Sequence, residues 1–156
     1  MYRSILLFIL CLSSAHAITL TQTASSDVLF DLTPVAPTDA GDYFADSYTR
    51  DKTLLTIDGI PNNQKWKVYA RISNFVHGGS EKIRIKVKRT GLGTGVNAPT
   101  DGATGFIKLT VSSYKYFFKG EGSRFDIPVR TRIEGIGVYD DYGDFNTMIE
   151  YKVETY

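Results

Sequence analysis

KWKVYARISNFVHGGSEKIRIKVKR, residues 65–89, is the stretch of this chain that decides its fold. It contains two runs in which apolar and polar residues alternate, separated by the glycine break at residues 78–80. Successive side chains leave a β-strand on opposite faces, so a period of two indicates strands with one buried face. We expect the two runs to form a central antiparallel hairpin. Its inward residues, which we predict to be the middle of the core, are Trp66, Val68, Ile72, Ile83, Ile85 and Val87.

The same alternation recurs along the rest of the chain. It is present in residues 18–21, 28–32, 54–57, 106–118, 125–133 and 147–153, with turn-forming Gly, Pro and Asn residues between them. No segment has a convincing helical period. This pattern predicts an all-β fold: a two-layer antiparallel β-sandwich, immunoglobulin-like or jelly-roll, with about seven or eight strands.

Two local features qualify that prediction. Pro128 has no backbone N–H, so its strand is expected to lie at a sheet edge or to be interrupted there. Residues 91–105, GLGTGVNAPTDGATG, are rich in glycine and are interpreted as a flexible loop. Neither a Walker-type lysine nor a helix start follows them, which argues against a phosphate loop.

The first 17 residues, MYRSILLFILCLSSAHA, have the pattern of a secretory signal peptide. Arg3 supplies the positive start, an apolar run follows, and Ala15 and Ala17 provide small residues for cleavage. The run is too short for a membrane-spanning helix, so no membrane insertion is expected. We therefore predict a single β-sandwich domain over residues 18–156. It would be secreted, and so extracellular, at the cell surface or periplasmic.

Composition narrows the possible chemistry of the exported chain. The only cysteine of the sequence, Cys11, lies in the predicted signal, so no disulfide is expected to support the fold. Removing Arg3 with the signal leaves basic and acidic residues equal in number, which gives no net field for nucleic acid. His77 is the single remaining histidine, a poor basis for a catalytic triad or a transition-metal site. We expect a protein that is not an enzyme and that holds no cofactor.

Carboxylates clustered around Gly143 suggest one exception. Asp140, Asp141 and Asp144 are hard oxygen ligands of the kind that Ca²⁺ prefers. Their spacing does not match the twelve-residue loop of an EF-hand. Two interpretations stay open, a solvated acidic turn and a calcium site.

Aromatic residues are more numerous than one small core requires. Six tyrosines are candidate binding residues: Tyr43, Tyr48, Tyr114, Tyr116, Tyr139 and Tyr142. A tyrosine can stack on a sugar ring or enter a protein interface, but it can equally pack between strands. The outward row of the predicted hairpin is basic: Lys65, Lys67, Arg71, Lys82, Arg84, Lys86 and Lys88. This row is either a solvated face or an attractor of an anionic polymer such as an acidic polysaccharide.

The two ends of the exported chain carry a family resemblance. The freestanding start ITLTQTASSDVLFDL and the closing block GIGVYDDYGDFNTMIEYKVETY resemble bacterial fimbrial subunits and spore-coat-U-like proteins. In that family an incomplete sandwich is completed by the N-terminal strand of the next subunit. The resemblance implies that Ile18, Leu20 and Gln22 are donor residues and that residues 147–153 border the acceptor groove. The chain departs from the family pattern in lacking a cysteine pair.

Two functions are therefore expected from the sequence. The first is a structural or adhesion protein, the subunit of a surface or extracellular filament, which self-associates or joins another secreted subunit through its N-terminal strand. In the other interpretation of that strand, it pairs within its own domain as an ordinary sandwich strand. The alternative is a carbohydrate- or matrix-binding module, with a glycan held by the tyrosine-bearing loops and with or without calcium.

Overall fold

Eight strands and no helix make up the part of the chain that the computed structural model describes, residues 17–24, 47–73, 83–136 and 147–156. The strands are β1 (Thr19–Ala24), β2 (Ser47–Asp58), β3 (Lys65–Ile72), β4 (Arg84–Arg89), β5 (Ile107–Lys108), β6 (Lys115–Glu121), β7 (Arg124–Glu134) and β8 (Ile149–Thr155). They form two sheets with every pair antiparallel. The predicted all-β sandwich is confirmed.

The two sheets differ in size. The larger has five strands in the order β1-β2-β7-β4-β5, and the smaller has three in the order β6-β3-β8. A strand at the centre of each sheet, β7 in one and β3 in the other, has a partner on both sides. Central strands supply most of the core because their inward side chains are covered by neighbours on every side.

The predicted hairpin of residues 65–89 was wrong. β3 lies in the three-stranded sheet and β4 in the five-stranded sheet, so the chain crosses from one layer to the other between them. Alternation reports which face of a strand is buried, not which strand is its partner, and both runs do bury the predicted face. The predicted basic row is consequently divided between the two outer faces of the sandwich.

The core forms around Trp66, which is fully buried. Its indole Nε1 donates a hydrogen bond of 2.7 Å to the Gly122 carbonyl, and its ring meets Phe118 edge-on at a centroid distance of 5.9 Å. Gly120 opposite leaves room for the ring, since a Cβ there would lie 2.4 Å from it. All the predicted core residues are buried except Ile83, which is half-buried and precedes β4.

Pro128 lies in the central strand of the five-stranded sheet, so of the two predicted alternatives the edge strand is wrong and the interruption of pairing is confirmed. The ladder between β7 and β4 ends beside it, at the pair Arg89 and Val129. Beyond that pair the Pro128 carbonyl accepts a hydrogen bond of 2.9 Å from the Thr90 N–H. Gly91 packs against the proline ring, where a Cβ would approach the ring to 2.7 Å. The missing N–H therefore falls where β4 has already left the sheet.

Arg124 holds the loop that the sequence predicts to be flexible. Alternation from Ile127 backwards would bury Phe125, yet Arg124 is only 5% exposed and Phe125 is 38% exposed. The phase changes because Asp126 has a positive φ of 53°, next to an irregularity in the pairing with β2. The buried guanidinium then donates hydrogen bonds of 2.7–2.9 Å to four loop carbonyls, those of Leu92, Gly93, Gly95 and Asn97.

Candidate functional site: the seam between β1 and β8

The N-terminal strand β1 is an edge strand with little buried surface. It pairs with β2 of the same chain, from Thr19 opposite Asp58 to Ala24 opposite Thr53. Of the three predicted donor residues only Leu20 is half-buried against the core, while Ile18 is 42% exposed and Gln22 is exposed. β1 is therefore held mainly by main-chain hydrogen bonds.

The closing strand β8 forms an edge of the other sheet on the same side of the molecule. Its only strand partner among the described residues is β3. Ile149, Tyr151 and Val153 point toward the core and pack against it, yet all three are only half-buried. The inward residues of its partner β3 are all buried. The sandwich is thus less well covered along β8 than along β3.

A cleft of about 360 Å³ lies where β1 approaches β8. Its lining residues are Leu20, Gln22, Tyr114, Met148, Ile149, Glu150 and Tyr151. The structure therefore brings two predicted donor residues beside the strand that was predicted to border the acceptor groove. We call this region, β1 and β8 with the cleft between them, the seam.

Two buried polar atoms near the seam have no hydrogen-bond partner in the described part of the chain, the Tyr151 hydroxyl and Thr147 Oγ1. Burial raises the pKa of Tyr151, so its hydroxyl stays protonated and able to donate. A buried hydroxyl without a partner costs free energy.

Glu150 carries the charge interaction beside the cleft of the seam. Its carboxylate accepts a hydrogen bond of 2.7 Å from Arg71 Nε and one of 3.0 Å from the Tyr114 hydroxyl. These bonds, the Arg71 bond foremost, hold the pKa of Glu150 below its usual range. The Arg71 guanidinium also lies 4.6 Å from the centroid of the Tyr114 ring. The contact fixes Tyr114 at the outer rim of the cleft.

The candidate tyrosines are divided between the sheets. Tyr48 lies in β2 opposite Ile133, in the five-stranded sheet. Tyr114 and Tyr116 lie on the outer face of the three-stranded sheet, where Tyr116 meets Tyr69 edge-on at a centroid distance of 6.1 Å. The C-terminal Tyr156 is on the same face, with Lys67 Nζ at 4.4 Å from its ring centroid. We call Tyr69, Tyr114, Tyr116 and Tyr156 the tyrosine face.

Two members of the tyrosine face, Tyr69 and Tyr156, were missed as candidate binding residues. The alternation of residues 65–72 does assign Tyr69 to the outward row of its strand, which is the signal that could have found it. Tyr156 follows the last strand, and its proximity to Lys67 results from the pairing of β8 with β3. That pairing is not readable from either segment alone.

The remaining candidate residues lie outside the described ranges. These are Tyr43, Tyr139 and Tyr142 and the possible calcium ligands Asp140, Asp141 and Asp144. Within those ranges no three His, Cys, Asp or Glu side chains are grouped so as to hold a metal ion. The described residues also contain no helix of the length and apolarity needed to cross a membrane.

Comparison with protein-family models, with curated proteins and with solved structures finds no match to this chain. The resemblance of its two ends to fimbrial subunits stays a prediction. Function is therefore inferred from the geometry of the chain itself.

Proposed function

We propose that this protein is a non-catalytic subunit of an extracellular or surface assembly, and that it joins the next copy by exchanging its N-terminal strand. In the isolated chain β1 pairs with β2 of its own chain and lies beside its own β8. In the assembly, β1 of one copy takes the same place beside β2 and β8 of the next. Exchange of an identical element needs no new interface, because every contact made within one chain is available between two.

The incomplete cover of β8 is the observation that carries this proposal. Ile149, Tyr151 and Val153 face the core but stay half-buried, and the cleft beside them is bordered by Leu20. Partial burial of one leucine contributes on the order of 1 kcal/mol. When β1 leaves its own sheet, it loses this small contribution and its main-chain hydrogen bonds. An intermolecular β1 restores both.

The length of chain between β1 and β2 permits the exchange. Residues 25–46 separate the two strands. At about 3.4 Å per residue a segment of that length spans up to about 75 Å when fully extended, more than the diameter of a small domain. β1 can therefore reach a neighbour while β2 stays in its own sheet.

Disulfide trapping between two single-cysteine variants tests the proposal. Thr21 and Thr56 are direct cross-strand partners of β1 and β2, close enough to be joined as cysteines. Thr21→Cys and Thr56→Cys proteins are produced separately with their predicted signal, mixed after export and oxidised. A cross-link between the two variants requires β1 of one copy to lie beside β2 of another. We expect a disulfide-linked dimer on a non-reducing gel.

A second pair controls for random collision of surface cysteines. Lys65 and Glu121 are cross-strand partners of β3 and β6, strands that remain together in one chain. Mixed Lys65→Cys and Glu121→Cys proteins should give no more dimer than either variant alone. The proposal is wrong if the Thr21 and Thr56 mixture behaves in the same way while the double variant cross-links completely within single chains.

The tyrosine face favours glycan binding as a second candidate function. Tyr116 and Tyr156 are 39% and 56% exposed, so ring surface remains for a sugar to stack on. A glycan array read with wild-type protein and with Tyr116→Ala tests this candidate. Loss of a wild-type signal in the variant supports it, and an array without any wild-type signal contradicts it.

A further inference from the structure

The outer face of the five-stranded sheet concentrates positive charge. Its outward residues on β4, β5 and the second half of β7 include Arg84, Lys86, Lys88, Lys108, Arg130 and Arg132, which we call the basic face. Only Asp51 and Glu134 make ion pairs with these six cations in the described part of the chain. Three of the six cations, Arg84, Lys86 and Lys88, belong to β4 and to the predicted basic row. The other three lie on β5 and β7, which the sequence did not join to that row.

Neighbouring strands place like charges directly opposite each other on this face. Lys88 is the cross-strand partner of Arg130. Lys86 has Arg132 opposite it on one side and Lys108 on the other. Directly opposed like charges in an antiparallel pair destabilise the sheet. The arrangement therefore costs stability in the free protein.

The two acids lie at opposite ends of the array, Glu134 opposite Arg84 and Asp51 opposite Arg130, and they pair with only three of the six cations. Glu134 lies 2.6 Å from Lys86 Nζ and 3.5 Å from Arg132 Nη1, and Asp51 pairs with Arg130. Within the described residues, Arg84, Lys88 and Lys108 make no salt bridge. These three cations, which have no ion-pair partner among the described residues, can bind an external anion.

The opposite side of the sandwich holds more acids. Lys65 and Lys67 make no salt bridge with described residues there, but Glu121 and Glu154 are their cross-strand partners. There Arg71, Lys119 and Lys152 each pair with an acid, Glu150, Asp101 and Glu154 respectively. Overall charge therefore does not explain the basic face, since the protein carries a formal net charge of only +1. The excess is local to one surface.

We propose that the basic face binds a linear acidic polysaccharide. Arg84, Lys86 and Lys88 leave β4 on one side at intervals of about 7 Å, which gives a straight row of cations along the strand. Lys108 and the β7 arginines widen the row on both sides. A chain of uronic or sulfated sugars carries anions at regular intervals and lies flat on such a surface.

The chemistry of the face favours a polysaccharide over other polyanions. Phe106 is the aromatic residue between the cations, and its ring is covered by the Arg132 guanidinium at 3.8 Å and approached by Lys88 Nζ at 4.9 Å. Among the described residues of this face no ring is left free for a nucleobase to stack on, as single-stranded nucleic acid requires. The outward residues of β4 are all charged, so the row offers no apolar group for insertion into a membrane.

Charge substitutions on the two outer faces test this proposal. The triple variant Arg84→Gln, Lys88→Gln, Lys108→Gln removes the three free cations. The matched control Lys65→Gln, Lys67→Gln, Lys115→Gln makes the same charge change on the three-stranded sheet. Binding of size-defined oligogalacturonate and heparin fragments is measured by calorimetry at several salt concentrations, with neutral dextran, duplex DNA and phosphatidylglycerol vesicles as comparisons.

We expect the wild-type protein to bind at least one acidic oligosaccharide and to ignore dextran. The basic-face variant should lose at least tenfold in affinity and show a weaker salt dependence, because fewer counterions are released. The control should lose less than threefold. The basic-face variant should also melt no lower than wild type, since opposed like charges have been removed.

Three results would overturn the proposal: no binding of either acidic oligosaccharide, equal losses in the two triple variants, or tighter binding of DNA or vesicles than of both oligosaccharides. The outcome is independent of strand exchange, because the disulfide assay uses residues of β1 and β2 that lie outside the basic face.

Discussion

Leu55 and Leu20 are the same residue type in adjacent strands, and their surroundings differ. Leu55 in β2 has strands on both sides and is fully buried, while Leu20 in β1 has a strand on one side and is half-buried. The closed interior around β2, β3 and β7 therefore carries the stability of the fold. The seam carries little of it, which leaves β1 and β8 available for a partner.

The same substitution at both positions should have effects of very different size. Leu55→Ala leaves a cavity in a closed core and should lower the free energy of unfolding by about 3 kcal/mol. Leu20→Ala should lower it by about 1 kcal/mol or less, because the side chain is already partly in water. Urea titration of the two variants measures both values. Equal losses would show that the seam is as closed as the interior.

Acid should lower the free energy of unfolding by protonating Glu134 and Glu150. The loss should be smaller than the loss from Leu55→Ala. Hydrogen bonds from Lys86 to Glu134 and from Arg71 to Glu150 hold the pKa of each carboxyl below its usual range. A lowered folded-state pKa gives stability that is present above the ordinary carboxyl pKa near 4 and is lost as the pH falls through the folded value. The effect should be below that of Leu55→Ala, since water screens partly exposed ion pairs.

Melting temperatures between pH 6 and pH 2 test this expectation with two variants, Glu134→Gln and Glu150→Gln. Each should flatten the acid limb of the curve. Glu134→Gln should flatten it more, because Glu134 has two cationic partners and Glu150 has one. An unchanged acid limb in both variants would contradict the assigned ion pairs.

The smallest effect is expected from Tyr151→Phe, which removes a buried hydroxyl that has no hydrogen-bond partner among the described residues. Loss of a buried polar atom that makes no hydrogen bond should leave stability unchanged or raise it slightly. An exchanged β1 makes the contacts that β1 makes within one chain, so the oligomers of this variant should be as stable as those of wild type. Thermal melting measures the stability of the monomer, and analytical ultracentrifugation measures the dissociation of oligomers. A clear loss of monomer stability would show that the hydroxyl has a partner within the chain.

The sequence predicts the burial pattern of individual strands well. Trp66, Val68, Ile85 and Val87 are buried as expected because alternation is a property of one strand. Alternation does not predict which strands pair, nor where local backbone geometry changes which residues are buried. The crossing between β3 and β4 depends on contacts with β7 and β8 far along the chain, and the left-handed Asp126 reverses which of Arg124 and Phe125 is buried.

The seam and the basic face likewise depend on how separate segments of the chain pair. Leu20 and Gln22 line a cleft with residues of the closing strand of the same chain, and their role as donor residues stays a prediction. The basic face could not be predicted as a unit, because Lys108, Arg130 and the β4 cations become neighbours only through sheet order. The sequence places them in three separate segments, each of which is individually an ordinary solvated row.

Arg124 anchors a surface loop through the loop's backbone and so leaves the loop's side chains free to vary. The guanidinium contacts main-chain carbonyls of residues 92–97 and no side chain of theirs. Carbonyl groups are present whatever the residue type and do not titrate. Exposed side chains such as Leu92 and Val96 can therefore be exchanged without loosening the anchor, and the anchor persists in acid that protonates carboxylates. This segment is a suitable place to graft a foreign peptide onto the molecule.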